Sequence, residues 1–384
     1  MQKVYLNQTK LRDSKYELLR IIAMLMIVSQ HLVERGMGTS AWEALKAPFS
    51  INFVSTVLLG SWGQLGVLLF IITSSWFLVD RQGIKGKKIL HLLFQIWTVC
   101  AGLVILFLII KPEVLNLKLI LKEFLTPAVK QYWFITTYLV FYLTIPILQK
   151  LVQSLSDSAL LNICIVFTVL VPLYNYIFTN VGDSLADFCY IFLIIAYLKK
   201  KKDNWFERHC KLGLYGMGLI FIVLIVLKLL IPETILGKDG SNLYIKMFLS
   251  LRGRTLLMVV ISICLFYYFK NIKMSYYKII NTIGSTTFGV YLIHENLLLR
   301  GDGGRSFLWD GIFHMDWWYK NSLWCSFVQV GVVVLVFSIC SVIELLRKKT
   351  IERWLDNNVF INKVSKTFDN WYSNSIFNNR SSNE

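Results

Sequence analysis

The chain has 384 residues, 55% of them hydrophobic and 15% aromatic, with a mean hydropathy of +0.56. Only 16% are charged, against roughly 25% in soluble domains, which excludes an ordinary water-soluble enzyme. The net charge of +17 does not point to nucleic acid, because the basic residues fall mostly between apolar runs, as cytoplasmic loops facing an anionic leaflet do.

Taken in order, the apolar runs predict ten spans: 17–35, 54–79, 89–110, 132–148, 160–178, 185–198, 212–231, 254–269, 280–299 and 322–346. The expected class is therefore all-α, a polytopic bundle in the lipid bilayer. The run 185–198 is short and contains Asp187, but charge parity requires it. The N-terminus, the Arg81–Lys88 loop and the Lys199–Lys202 loop all read as cytoplasmic, so an even number of spans separates the last two. Both termini are expected inside a cell membrane. Residues 1–346 form the expected membrane domain and 347–384 a polar cytoplasmic tail, disordered at its end. Residues 117–131 read as an amphipathic helix on the outer interface. Seven cysteines lie mostly within apolar runs and show no metal-ligand spacing, so neither a disulfide framework nor a metal is expected.

The first span concentrates ionisable residues where they are expensive. In Tyr16-Glu-Leu-Leu-Arg-Ile-Ile-Ala-Met-Leu-Met-Ile-Val-Ser-Gln-His31, Arg20 and His31 are eleven steps apart. At about 100° and 1.5 Å per residue they point within roughly 20° of each other and stand roughly 16 Å apart along the axis. Glu17 lies one turn below Arg20, within ionic reach. One helix thus offers an ion pair near one membrane face and a titratable ring deep inside. The bland reading makes Arg20 a snorkelling boundary residue and His31 a polar contact between helices.

Four segments in order carry a family resemblance. Glu17-x-x-Arg20-x(10)-His31 resembles the opening signature of the membrane-bound acyltransferase family 3, in which an acid, an Arg and a His recur in the first helix. Gly63-Gln-Leu-Gly66-Val-Leu-Leu-Phe70-Ile-Ile-Thr-Ser74-Ser-Trp-Phe77 is similar to its second-helix pattern, with Ser75 where many members have Gly. Tyr132-Trp-Phe-Ile-Thr-Thr-Tyr138, running on to Tyr142 and Pro146, resembles its Trp-Phe segment. Ser285-Thr-Thr-Phe-Gly289-Val-Tyr-Leu-Ile-His294 resembles the late Gly-x-Tyr-Leu-x-His helix.

The resemblance implies transfer of an acyl group, usually acetyl from acetyl-CoA, to a hydroxyl of a cell-surface or lipid-linked carbohydrate. A sugar hydroxyl needs a base to take its proton as it attacks a thioester, and His suits that near pH 7. His31 is the expected base or acyl acceptor, with Arg20 and Glu17 on the donor side. Ser74, Ser75 or a cation is the expected oxyanion donor. Trp133 and Tyr142 are candidate substrate-binding residues, and a tryptophan of this set could stack on a sugar ring. His294 binds acceptor or simply packs between helices. Arg81, Lys85, Lys87 and Lys88 either hold the phosphates of coenzyme A or only satisfy the inside rule. Trp42, Trp62, Trp133, Trp309, Trp317, Trp318 and Trp324 read mostly as an outer aromatic belt. His91, His209 and His314 read as surface residues. The alternative activity is transport or flipping of a lipid-linked saccharide, which also calls for intramembrane charge and outer aromatics.

Overall fold

The structure, a computed structural model, describes residues 12–36, 50–81, 83–125, 131–177, 185–230, 256–301 and 305–377. In chain order the helices are α1 (Ser14–Gly36), α2 (Ile51–Ser61), α3 (Gly63–Leu78), α4 (Gly86–Ile110), α5 (Leu117–Phe124), α6 (Trp133–Ser154), α7 (Asp157–Ile177), α8 (Leu185–Lys200), α9 (Trp205–Leu230), α10 (Leu256–Asn271), α11 (Lys278–Gly284), α12 (Thr287–His294), α13 (Leu297–Arg300), α14 (Met315–Asn321), α15 (Cys325–Arg347), α16 (Arg353–Asn357) and α17 (Val359–Phe377). No strand occurs among the described residues, so the fold is all-α. Among the described residues, five helical stretches are long and apolar enough to cross a bilayer: Ser14–Gly36, Val54–Leu78, Gly86–Ile110, Trp133–Ser154 and Cys325–Asn357.

The α1 helix is the hub, packed against α2, α3, α10, α11, α12 and α15. Ala23 faces Gly66 and Tyr16 meets Phe77 edge-on at 5.1 Å, so α3 runs antiparallel to α1. Glycine is required at 66, because any Cβ there would run into the Ala23 carbonyl. By contrast, α4 and α15 are peripheral. Ile105, Leu108 and Ile109 on α4, with Val334, Ile339 and Val342 on α15, are exposed apolar rows suited to lipid. The short Asp187-bearing run is α8, buried on nearly every side, as a helix apolar all round should be.

Two runs read as single spans are broken. Residues 54–79 divide at Trp62 into α2 and α3, and residues 280–299 divide into α11, α12 and α13. The second break ends α12 at His294 and leaves Glu295 and Asn296 in a turn, where the Asn296 side chain accepts from the Leu298 N–H and starts α13. Within the expected amphipathic segment, Asn116 caps α5 in the same way, accepting from Leu119 N–H at 2.9 Å. Trp309, read as part of the outer belt, is instead fully buried beside Gly36 and Met315, whereas Trp317 and Trp324 are exposed. The seven cysteines are free thiols, six of them buried. The segment after Arg347 is helical to Phe377, and α17 folds back onto α4. Trp42, most of the connections 36–53 and 232–253, and the tail end 378–384 lie outside the described residues.

Candidate active site

A largely buried cluster joins α1 to the α12–α13 turn. His31 Nδ1 lies 2.9 Å from His294 Nε2, and His294 Nδ1 lies 2.6 Å from the Val290 carbonyl. A carbonyl only accepts, so His294 Nδ1 carries the hydrogen of that bond. For two neutral rings the direction of the second bond follows. His294 Nε2 accepts, His31 Nδ1–H donates, and His31 Nε2 keeps its lone pair. Glu295, also buried, stands 3.6 Å from His31 Nδ1. Its charge is matched by two arginines, Arg300 at 3.1 Å and Arg35 at 3.6 Å. His294, read as either an acceptor-binding or a packing residue, is therefore bonded directly to His31.

His31 also lines a narrow cavity of about 40 Å³ with Met24 and Ile27 of α1, Val67 and Phe70 of α3, and Trp133 of α6. Met24, Ile27 and His31 continue the α1 stripe that begins at Arg20, so the shared face inferred from spacing is the face that meets α3 and α6. Trp133 thus lines the same cavity as His31.

The lower end of this stripe holds a looser cluster. Arg20 Nη1 stands 3.5 Å from Glu17 Oε1, which Arg12 also approaches at 3.4 Å. Glu17 is buried against Gly284, and its Oε2 finds no partner in the described structure, nor does Arg20 Nε. Tyr138 stands near Arg20, within hydrogen-bonding reach of Ser74, and accepts from Lys88 Nζ at 2.8 Å. Lys88 also sits 4.5 Å from the centre of the Tyr142 ring, and the Tyr142 hydroxyl accepts from the Lys85 backbone N–H at 3.0 Å.

Some expectations are redistributed by this geometry. Ser74 groups with Arg20 and Tyr138 rather than with His31, because antiparallel packing puts it at the level of Arg20. Ser75 is fully buried with its hydroxyl unpartnered, part of the α3 packing. Tyr142 belongs with the basic loop rather than with Trp133. Lys85 and Arg81 present exposed side chains with no ion pair among the described residues, and Arg81 touches the bundle through its carbonyl, which accepts from Gln149. His91, read as a surface residue, is half-buried between Glu352 at 3.9 Å and Asp356 at 3.5 Å.

Two sets of polar residues escaped sequence reasoning. Glu123 of α5 is fully buried and accepts from Gln131 at 3.0 Å and from Asn296 at 2.8 Å; Asn296 also donates to Tyr132 Oη at 2.9 Å. This network braces the turn that carries His294 and Glu295. Burial pushes the Glu123 carboxyl above its usual range. The signal was present: on a helical wheel Glu123 falls between Leu119 and Ile120, a carboxylate on the apolar face of α5. The second set is Glu344, fully buried, held by both guanidinium arms of Arg347 at 2.8 Å and by Gln95 at 2.9 Å. No group of three or more His, Cys, Asp or Glu arranged to hold a metal occurs among the described residues.

The model of acyltransferase family 3, an acyltransferase domain, matches residues 13–343, from just before α1 into α15. No curated protein and no solved structure matches the chain. The matched stretch contains the His31–His294 pair, the Glu17–Arg20 pair and the cavity between them. The chain belongs to acyltransferase family 3 and is a membrane acyltransferase.

Proposed function

We propose that this acyltransferase moves an acetyl group from acetyl-CoA to a hydroxyl of a cell-surface or lipid-linked polysaccharide. In this reading it works in the cell membrane with ten spans and both termini cytoplasmic. The observation that carries the chemistry is the one-way hydrogen-bond chain from His31 through His294 to the Val290 carbonyl. It leaves His31 Nε2 with its lone pair on a ring that lines the cavity between α1, α3 and α6. His31 Nε2 takes the hydroxyl proton as the acceptor oxygen attacks the thioester carbon. The C–O bond forms, the C–S bond breaks, and the imidazolium returns its proton to the departing thiolate. Glu295, 3.6 Å from Nδ1, stabilises the imidazolium between those two events.

Donor binding is assigned to the looser cluster. Arg20, held by Glu17, meets the thioester arm, and Ser74 and Tyr138 line its path. Lys85 and Arg81, with exposed cations, and Lys88 receive the phosphates. The cavity is narrow, so the arm displaces Met24 and Phe70, both side chains in its wall. Trp133 stacks against the acceptor sugar near His31.

The test is acetyl transfer by purified protein in nanodiscs, with acetyl-CoA and polysaccharide taken from cells lacking the protein. Acceptor-dependent CoA release with base-labile acetyl on the polysaccharide is expected. CoA affinity without any transfer to that polysaccharide would overturn the acceptor assignment. For orientation, cysteines introduced at Lys201 should resist an impermeant thiol reagent in intact cells while ones at Gly240 react; the reverse pattern inverts the topology.

A further inference from the structure

The tail helix α17 carries more apolar surface than its packing against the bundle uses. At about 100° per residue it divides into three sectors roughly a third of a turn apart. Ile361, Ser365, Phe368, Asp369 and Tyr372 form the sector against the bundle. Ile361 and Ser365 are buried, Phe368 lies over Gly86, Asp369 accepts from the Gly86 backbone N–H, and Tyr372 Oη donates to the Leu143 carbonyl. Phe360, Val364, Thr367 and Trp371 form the second sector, in which Phe360 is 72% and Trp371 62% exposed. With Lys363 and Phe368 they line an apolar groove of about 450 Å³. Asn362, Lys363, Lys366 and Asn370 make the third sector, polar between the terminal residues Val359 and Phe377.

A helix with protein on one side and water elsewhere has no use for a second apolar stripe. One lying where protein, lipid and water meet needs these three sectors. The level of α17 agrees. Tyr372 reaches the carbonyl of Leu143, whose side chain, with Ile147, belongs to the exposed apolar surface of α6. The Phe360–Trp371 stripe thus lies at a level where the bundle itself presents apolar surface, and Trp354 of α16 is 60% exposed as well.

We infer that residues 353–377 form an interfacial arm inserted into the leaflet beside the Arg81–Lys88 loop, with Lys363 and Lys366 recognising the phosphates of anionic phospholipids. Lys363 lies along the groove, so its stem rests on apolar surface while its ammonium reaches the headgroups. The arm in turn grips the start of α4: Asp369 holds the Gly86 N–H, and Asp356 pairs with Lys87 at 2.8 Å. Lipid composition thereby bears on the segment that carries the basic loop.

The experiment uses full-length protein in nanodiscs and reads Trp371 as the difference in emission between wild type and Trp371→Phe. Phospholipid brominated near the headgroup end of its chains should quench this difference, and acrylamide in the water should not. Quenching by acrylamide alone puts Trp371 in water and overturns the inference. Protection from both quenchers puts a second copy or another protein over the stripe and overturns it equally. Exchanging phosphatidylcholine for phosphatidylglycerol should deepen the bromine quenching. Lys363→Gln with Lys366→Gln should remove that increment, about fivefold in docking equilibrium for each lysine at low salt. An undiminished increment would overturn the headgroup assignment, and bromine quenching equal to wild type in phosphatidylcholine alone controls for folding of the arm in these variants.

Discussion

The two ends of the α1 stripe are built differently. Around His31 the ring bonds are short, 2.9 Å to His294 and 2.6 Å from His294 to the Val290 carbonyl, while the Glu295 pairs beside them run from 3.1 Å to Arg300 to 3.6 Å to His31 and Arg35. Around Arg20 the contacts are ion pairs at 3.4 and 3.5 Å with no ring chain to a backbone carbonyl, and Glu17 Oε2 and Arg20 Nε, like Glu295 Oε1 at the other end, have no hydrogen-bond partner in the described structure. A base gains from being held in one tautomer and one orientation before substrate arrives. A cation that must meet an incoming anion gains from unspent hydrogen-bonding capacity. In the proposed function, the end held by the ring chain performs the chemistry and the end held by ion pairs alone receives the ligand.

The strongest way to break this comparison is at the base. His31→Ala should lower kcat about 10²–10⁴-fold, the contribution of a positioned general base. The acetyl-CoA KM should stay near wild type, since the donor cluster is untouched. Near-normal turnover at equal protein level would remove His31 from the chemistry. His294→Ala tests the bonding chain itself. It leaves the base in place but frees its ring to turn, so kcat should fall about 10²-fold at most, with KM again unchanged. A loss equal to that of His31→Ala would mean that both rings take part in proton transfer.

The looser end predicts the opposite split. Arg20→Lys keeps the charge and loses the fork of donors, so the acetyl-CoA KM should rise about tenfold while kcat changes little. Arg20→Ala should weaken donor binding further. Equal donor affinity in all three proteins, with poor membrane insertion of Arg20→Ala, would make Arg20 a snorkelling residue and move the donor site to Arg81, Lys85, Lys87 and Lys88.

Much of the α1 site was legible because a helix maps sequence spacing directly onto a face. Glu17, Arg20 and His31 needed only the 3.6-residue period, and the pairing of Glu17 with Arg20 is the expected one. His294 was legible as a residue but not as a partner, since no local pattern tells which residues 263 positions apart will meet. The level of Ser74 depends on the antiparallel run of α3 against α1, again a tertiary fact. The apolar stripe of the tail was missed for another reason. The tail's average composition is polar, and averaging erases a stripe such as Phe360–Val364–Trp371, which appears only when positions are sorted by angle.

The smallest predicted effect concerns the brace behind the dense cluster, and it is a matter of sign. Burial raises the Glu123 carboxyl, opposed by hydrogen bonds from Asn296, Cys100 and Gln131 and by the charge of Arg300. A carboxyl raised in the folded state binds its proton more tightly there than when unfolded. Its contribution to stability is therefore complete below the unfolded value and is lost as pH rises through the folded one. Glu123→Gln keeps the shape and stays neutral at every pH, but offers one acceptor oxygen where the carboxylate has two. Against the wild type, its Tm in detergent should be lowest, relatively, in acid and should gain as pH rises through the carboxylate range. Acetyl transfer at neutral pH should fall modestly, because Asn296 or Gln131 loses an acceptor and the His294–Glu295 turn loosens. If the gap in Tm between the two proteins does not move with pH, the Glu123 carboxyl is not held above its ordinary range and the brace is not proton-linked.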